Sequence, residues 1–146
     1  MELSIVLSVV LTIVFAILSA SEAVYAQHYV NSAANDAARY AIVRGSYWSG
    51  TACSTVSTTN CAATAANVQS YVQSTVPPLI NSNQLGVTTS WPGTTISGAV
   101  CDTVNGTNSG TCVVSVSVTY NYNFLLPFLP SNTITFEGTS TGTIAE

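Results

Sequence analysis

The sequence predicts an α+β fold, in which a long N-terminal α-helix with an apolar first half packs at its C-terminal half against a small antiparallel β-sheet head with one short extra helix. Three patterns predict it. Helical spacing of apolar residues runs without Gly or Pro over residues 3–43, returns over residues 62–75, and gives way to strand-like alternation after residue 85. We therefore divide the chain into a helical segment, residues 1–45, and a head, residues 46–146.

The long helix joins a membrane-length apolar run to a more polar continuation. Residues 3–20 (LSIVLSVVLTIVFAILSA) carry no charge and are long enough to cross a bilayer. The pattern continues to Val43, and Gly45 is a natural C-cap. About forty helical residues span on the order of 60 Å, roughly twice the hydrocarbon thickness. Half of the helix must therefore project, and its small residues (SAANDAA) allow another helix or a sheet to approach closely.

The start of the chain does not fit a cleaved signal peptide. A signal peptide needs a basic segment before a shorter apolar core, and no Lys or Arg precedes Arg39. A plain signal anchor lacks its cytoplasmic positive charges for the same reason. We expect that a basic leader has been removed, or that the chain begins further upstream.

Charge is sparse, with two arginines, six acids and a net charge of -4. Without clustered Lys or Arg the chain is not expected to bind nucleic acid. Arg39 and Arg44 fall in the last two predicted turns, where cations offset the helix dipole, and Arg39 can pair with Asp36 at i, i+3. We take these three residues as the helix–head junction. Few surface charges mean weak repulsion between copies, which favours self-association.

The head pattern predicts one helix and three strands, which cover residues 62–75, 85–91, 113–122 and 134–144. The second strand alternates most cleanly. Its apolar positions all lie on one face: Val114, Val116, Val118, Tyr120 and Tyr122. Residues 124–130 (FLLPFLP) form a turn, because Pro127 and Pro130 exclude regular structure.

Four cysteines, Cys53, Cys61, Cys101 and Cys112, allow three pairings. The near pairings, Cys53–Cys61 and Cys101–Cys112, would each close a short polar loop, for about 2 to 3 kcal/mol apiece. A zinc site is disfavoured, because no CxxC spacing occurs and His28 is the only histidine. Disulfides imply that the head faces an oxidising compartment.

No motif points to catalysis. His28 has no acidic neighbour in the sequence, and neither GxSxG nor a P-loop is present. The acids of the head, Asp102, Glu137 and Glu146, do not suggest a glycosidase pair. We expect no enzymatic activity, no cofactor and no metal. Asn105-Gly106-Thr107 matches a glycosylation sequon, a pattern that is common by chance.

Two segments resemble a known family. The helix end SASEAVYAQHYVNSAANDAARYAIVRG and the tail VSVSVTYNYNFLLPFLPSNTITFEGTST, together with the apolar start, are similar to type IV pilin-like subunits and closest to TadE/TadG-like pilins. They cover roughly half of the chain. One departure is that no leader glycine is visible and the early acid, Glu2, lies nearer the start than in the family. Either Met1 is the mature N-terminus or residues upstream are missing.

The resemblance implies a subunit that is anchored in the inner (cytoplasmic) membrane and then polymerises with its own copies into an extracellular helical filament, a pilus. The implied partners are prepilin peptidase and the pilus assembly machinery. Glu2 would pair with the N-terminal ammonium of a neighbouring copy; alternatively it lies at the membrane interface. The implied filament-core residues are Leu3, Ile5, Val6, Val9, Val10, Ile13, Val14 and Ile17.

Two other functions fit the same pattern. The chain could be a minor pilin that primes assembly or sits at the tip. It could also be a membrane-anchored module for cell adhesion that recognises a surface or glycan through Tyr47, Trp48 and Trp91. Exposed tryptophans would support the adhesion module, whereas we expect Trp48 and Trp91 to be packed.

Overall fold

The computed structural model describes residues 2–45, 63–101, 110–123 and 133–144. The elements in chain order are α1 (Glu2–Val43), α2 (Ala65–Ser74), a 3₁₀ turn (Ser82–Gln84), β1 (Leu85–Ser90), β2 (Val113–Asn123) and β3 (Thr133–Thr143). The predicted α+β class is confirmed. The 3₁₀ turn was not predicted, and α2 is shorter than its sequence pattern at both ends. The predicted turn at 124–130 and the Cys53–Cys61 pair lie outside the described residues.

Helix α1 is unbroken over 42 residues. Two hydroxyls in its apolar half bond to the helix itself: Ser8 Oγ donates to the Ile5 carbonyl and Thr12 Oγ1 to the Ser8 carbonyl, both at 2.8 Å. These bonds leave no hydroxyl hydrogen of Ser8 or Thr12 in need of an external acceptor. The C-terminus differs from the prediction. Gly45 has no positive φ, and the helix closes through Arg44, whose N–H donates to the Ala41 carbonyl at 3.3 Å.

The sheet is antiparallel in the order β1-β2-β3, so β2 is its central strand. The predicted apolar face of β2 is confirmed, because Val114, Val116 and Val118 are fully buried and Tyr120 and Tyr122 are nearly so. Alternation with period two placed all five side chains on the face that α1 covers. The valine row is thus the centre of the core.

The second half of α1 packs on this face through small residues. Its buried stripe consists of Ala26, Val30, Ala33, Ala34, Ala37, Ala38 and Ala41. The facing positions of β3 are also small: Gly138, Ser140 and Gly142 lie opposite Val118, Val116 and Val114 of β2. A Cβ on Gly138 would lie 2.8 Å from the Val30 carbonyl oxygen and 2.9 Å from Asn31 Cα. The close approach of helix and sheet therefore depends on glycine at this position.

Helix α2 covers the β1 side of the core with Val68 and Val72. It begins at a capping box: Thr64 Oγ1 accepts from the Asn67 N–H, and Asn67 Oδ1 accepts from the Thr64 N–H, each at 3.2 Å. The Arg44 carbonyl accepts from the Ala63 N–H at 3.1 Å, which ties the end of α1 to the start of α2. This bond places the start of α2 beside the end of α1.

The outward face of the sheet is hydroxyl-rich and carries one carboxylate, Glu137. Ser117 Oγ donates to Glu137 Oε1 at 2.8 Å, and Thr135 Oγ1 donates to Asn121 Oδ1 at 2.7 Å across the β2–β3 ladder. Such cross-strand pairs stabilise the register. This face is polar and faces solvent, whereas the opposite face packs in the core.

Candidate functional site

The first half of α1 projects beyond the head. Every residue from 3 to 18, here called the rod, is exposed, and its large apolar side chains are exposed by 45% for Leu11 and Val14 up to 85% for Leu3. An 18-residue window of α1 has a mean hydropathy of 2.7, and only 6% of it is buried. The helix is therefore long and apolar enough to cross a membrane. All eight residues predicted to form the filament core lie on the rod; Glu2 precedes it, and nothing is described of its side chain.

Exposure on all sides of the rod distinguishes it from an ordinary amphipathic helix. A helix that packs on one domain buries one apolar stripe and exposes polar residues elsewhere. Here the apolar side chains surround the axis, so one partner surface cannot cover them. Lipid, or several other apolar helices, can.

The rod ends where the head first touches α1. Ser19 is buried, and its carbonyl oxygen lies 3.3 Å from the hydroxyl of Tyr122 on β2. The same hydroxyl lies 3.1 Å from Glu22 Oε2 and can donate to it. The pKa of Tyr122 is raised to about 12, mainly because the phenol is buried and secondly because it bonds to Glu22. At neutral pH the phenol is protonated and can donate.

A cavity of about 120 Å³ opens beside this contact. It is lined by Glu22, Tyr25, Ala26, Leu79, Ile80, Tyr120 and Tyr122. Leu79 is 71% exposed and Tyr25 is 43% exposed, so the carboxylate is edged by accessible apolar surface. Glu22 was not predicted from the sequence, because the helical pattern around it does not indicate which strand will contact it.

At the other end of α1 an aromatic stack joins the helix to α2. The Tyr40 and Tyr71 rings are 4.5 Å apart and inclined by 15°. Arg44 Cζ lies 4.3 Å from the Tyr40 ring centroid, and its Nη1 donates to the Tyr40 hydroxyl at 3.0 Å. A guanidinium over an aromatic face is attracted by the ring quadrupole. Arg44 thus contacts an aromatic ring where the sequence suggested a role at the helix terminus.

In this geometry the predicted dipole compensation rests on Arg44 at the helix terminus and not on Arg39. Arg44 follows α1 by one residue, and the last turn of the helix contains no basic residue. Because a charge interacts with the dipole mainly within that turn, Arg39 contributes little. The pairing of Asp36 with Arg39 is absent too: both side chains are exposed, and no ion pair joins them among the described residues.

The three junction residues nevertheless share one surface. An open groove of about 350 Å³ is lined by Asp36, Arg39, Tyr40, Val43, Arg44 and Tyr71. The groove holds the two cations of the chain beside an aromatic stack. It lies on the head half of α1, on the opposite side of the head from the rod.

The remaining predicted site residues are only partly described. Cys101 and Cys112 form a disulfide with their Cα atoms 5.7 Å apart, packed beside Ile144. Trp91 is half-buried between this cluster and the main core. Cys53, Cys61, Tyr47 and Trp48 fall outside the described residues. Within the described ranges no cluster of His, Cys, Asp and Glu could hold a metal ion.

Residues 1–39 match the TadE-like protein family. The resemblance predicted from the sequence is thereby confirmed over the rod and most of the head-packed half of α1. The match is to a Tad pilus-related family with an N-terminal apolar helix. No curated protein and no solved structure matches the chain significantly.

Proposed function

We propose that this chain is a structural pilin subunit that polymerises through its apolar N-terminal helix into an extracellular helical filament. The observation that carries the proposal is the rod, which is apolar and exposed on every side. The TadE-like match over residues 1–39 supports it independently. Water is a poor environment for such a surface, so lipid first and other rods later must cover it.

Before assembly the rod lies in the cytoplasmic membrane. Sixteen helical residues span about 24 Å, and residues 3–20 span about 27 Å, close to the hydrocarbon thickness of a bilayer. Tyr122 meets α1 at Ser19, so the head sits at the membrane surface. The Cys101–Cys112 disulfide is consistent with an oxidising side of that membrane. Prepilin peptidase and the pilus assembly machinery are the partners that processing and assembly of such a subunit would require.

During assembly the rods exchange lipid contacts for contacts with one another. Helix association in apolar surroundings depends on close packing and on satisfied polar groups. Ser8 and Thr12 already donate to α1 carbonyls, so their hydroxyls do not oppose transfer into a filament core. The side chains that would form this core are Leu3, Ile5, Val6, Val9, Val10, Ile13, Val14 and Ile17.

The head is suited to an open assembly. A heterologous contact, made by two different surfaces, generates an open helical filament when the rotation from one subunit to the next does not close a ring. With a net charge of -4 over 146 residues, neighbouring heads repel one another weakly.

Trp91 packs against both hydrophobic clusters of the head, which argues against the adhesion module as the main function.

Intact mass spectrometry of filaments sheared from the producing cells tests the proposal. We expect this chain to dominate the fraction, with a mass that also reports the mature N-terminus and the number of disulfides. A trace amount beside another pilin would make it a minor pilin that primes assembly or forms the tip. If the chain stays with the membranes while filaments form without it, it is an anchored surface module and the proposal is wrong.

A further inference from the structure

The head half of α1 carries an acid and a base that have no charged partner in the described part of the chain. Glu22 lines the 120 Å³ cavity and contacts the Tyr122 hydroxyl. Arg39 is exposed in the groove above and forms no ion pair among the described residues. We propose that Arg39 of one copy binds Glu22 of a second copy. This inference rests on the proposed filament and names the contact between neighbouring heads.

The two charges cannot meet within one chain. They are seventeen positions apart on one unbroken helix, which places them about 25 Å apart along its axis. An arginine side chain is several times shorter than that distance. Pairing therefore requires a second copy, and in a filament whose rods run parallel the helix of that copy is shifted along the first.

The positions of Arg39 and Glu22 around the axis of α1 also suit an open helical filament. Seventeen residues at 3.6 per turn leave Arg39 and Glu22 about 100° apart around the axis of α1. Donor and acceptor thus lie on different faces of one subunit, which is the condition for a heterologous contact. Each copy would donate one Arg39 and accept another, so the contact repeats along the filament.

The surroundings of Glu22 make it a better acceptor than the other described acids. Glu137 and Glu22 each accept one hydrogen bond, but Glu137 lies on the hydroxyl-rich outer face of the sheet, where it accepts from Ser117. Asp36 is within one turn of Arg39 and does not pair with it. At Glu22 the exposed side chains of Leu79 and Tyr25 can exclude water from an arriving guanidinium, and the Tyr25 ring can stack on it, as Tyr40 does on Arg44. Exclusion of water strengthens a charge pair.

Charge reversal in the full chain, expressed in the producing cells, tests the contact. Arg39→Glu and Glu22→Arg should each lower the filament yield about tenfold or more, because each brings like charges together. The double variant should recover the yield to within about threefold of the native chain. The matched control combines Arg39→Glu with Glu137→Arg, which keeps the same total charge and should not recover. Equal yields for native and single variants, or a double variant no better than the singles, would overturn the inference.

Cross-linking keeps the test decisive if a reversed variant fails to accumulate. Cells that produce Glu22→Cys copies together with Arg39→Cys copies are treated with a short bifunctional thiol reagent. Dimers that contain one copy of each variant are expected in sheared filaments, and a Glu137→Cys partner should give none. Filaments of this chain without the Glu22–Arg39 cross-link would reject the contact and leave the proposed function standing. If the native chain forms no filament, both are rejected.

Discussion

The hydroxyl of Tyr122 lies 3.1 Å from the carboxylate of Glu22, a hundred positions earlier in the chain. The same hydroxyl lies 3.3 Å from the Ser19 carbonyl oxygen, so the end of β2 is held at the base of the head on α1. Below this contact α1 is exposed on all sides, and above it one stripe of the helix is buried. The Tyr122–Glu22 contact therefore marks the boundary between the rod and the head.

Tyr122→Phe removes this hydroxyl and leaves the ring in place. We expect the free energy of unfolding of the full chain in detergent micelles to fall by about 1 kcal/mol, the typical net value of one hydrogen bond. Tyr25→Phe is the matched control, because Tyr25 is 43% exposed and the substitution should change stability by less than about 0.5 kcal/mol. Equal stability of the Tyr122→Phe variant and the native chain would show that this contact does not hold the end of β2 on α1.

Tyr122 should also titrate late. Its pKa in the folded chain is raised to about 12 from 10.0, first by burial and then by Glu22. Folding therefore favours the neutral phenol, so this stabilisation is complete below pH 10 and is lost as the pH rises towards 12. Absorbance titration of tyrosinate should show a step near pH 12 that Tyr122→Phe removes. A step that survives the substitution would belong to another tyrosine and contradict the assignment.

Gly138 and Gly142 of β3 face α1 in different ways. A Cβ at Gly138 would meet the backbone of Val30 and Asn31, whereas one at Gly142 would meet only the side chain of Ile42, which can rotate. Gly138→Ala should therefore cost about 1 to 3 kcal/mol of unfolding free energy, and Gly142→Ala less than about 1 kcal/mol. Thermal unfolding of the two full-length variants measures the difference. A loss for Gly138→Ala as small as that for Gly142→Ala would show that α1 does not need to approach β3 this closely.

The Cys101–Cys112 disulfide closes a loop of sequence separation 11. Replacing both cysteines by alanine should lower the unfolding free energy by about 2 to 4 kcal/mol, chiefly because the unfolded chain gains freedom. Alanine is suited to both sites, since Cys101 and Cys112 are 2% and 1% exposed. Denaturant unfolding with and without reductant checks this, and the double variant should be insensitive to reductant at this bond. An unchanged midpoint would show that the loop is held by other contacts.

A charge in the middle of the rod should prevent both membrane storage and assembly. Val9→Lys costs about 2.5 to 3.5 kcal/mol at the centre of a membrane helix and leaves an unpaired cation in a filament core. Val24→Lys is the control, because Val24 is exposed to a similar degree, 59% against 53%, but lies above the rod. Filament yield and membrane-bound amount should fall only for Val9→Lys. Equal losses for Val9→Lys and Val24→Lys would imply that the rod is not the part of α1 that is buried in the membrane and in the filament.

Glu2→Ala separates two roles for the first acid. If Glu2 pairs with the N-terminal ammonium of a neighbouring copy, its loss leaves a cation unpaired in the apolar centre and should sharply reduce filament yield. If Glu2 lies at the membrane interface, the yield should stay normal. Sheared filaments per cell give the measurement, and the amount of membrane-bound chain shows whether storage is intact.

The local features were predictable because short-range periodicity encodes them. Helical spacing without Gly or Pro set the extent of α1 to within a residue, and strict alternation set the buried face of β2. Residue types near the helix end were a poorer guide. Gly45 and Arg44 looked like a cap and a dipole partner, yet Gly45 has no positive φ and the Arg44 guanidinium stacks on the Tyr40 ring one turn earlier in α1.

The pattern of residue types along the chain was sufficient to predict the order of the elements, the apolar rod and the positions that can form a core. Which residues meet became visible in the folded chain: Tyr122 with Ser19 and Glu22, and Gly138 with Val30. Periodicity specifies the face on which a side chain lies and carries no information on its partner a hundred positions away. The partner depends on strand register and on how closely two backbones approach, and both follow from packing of the whole core.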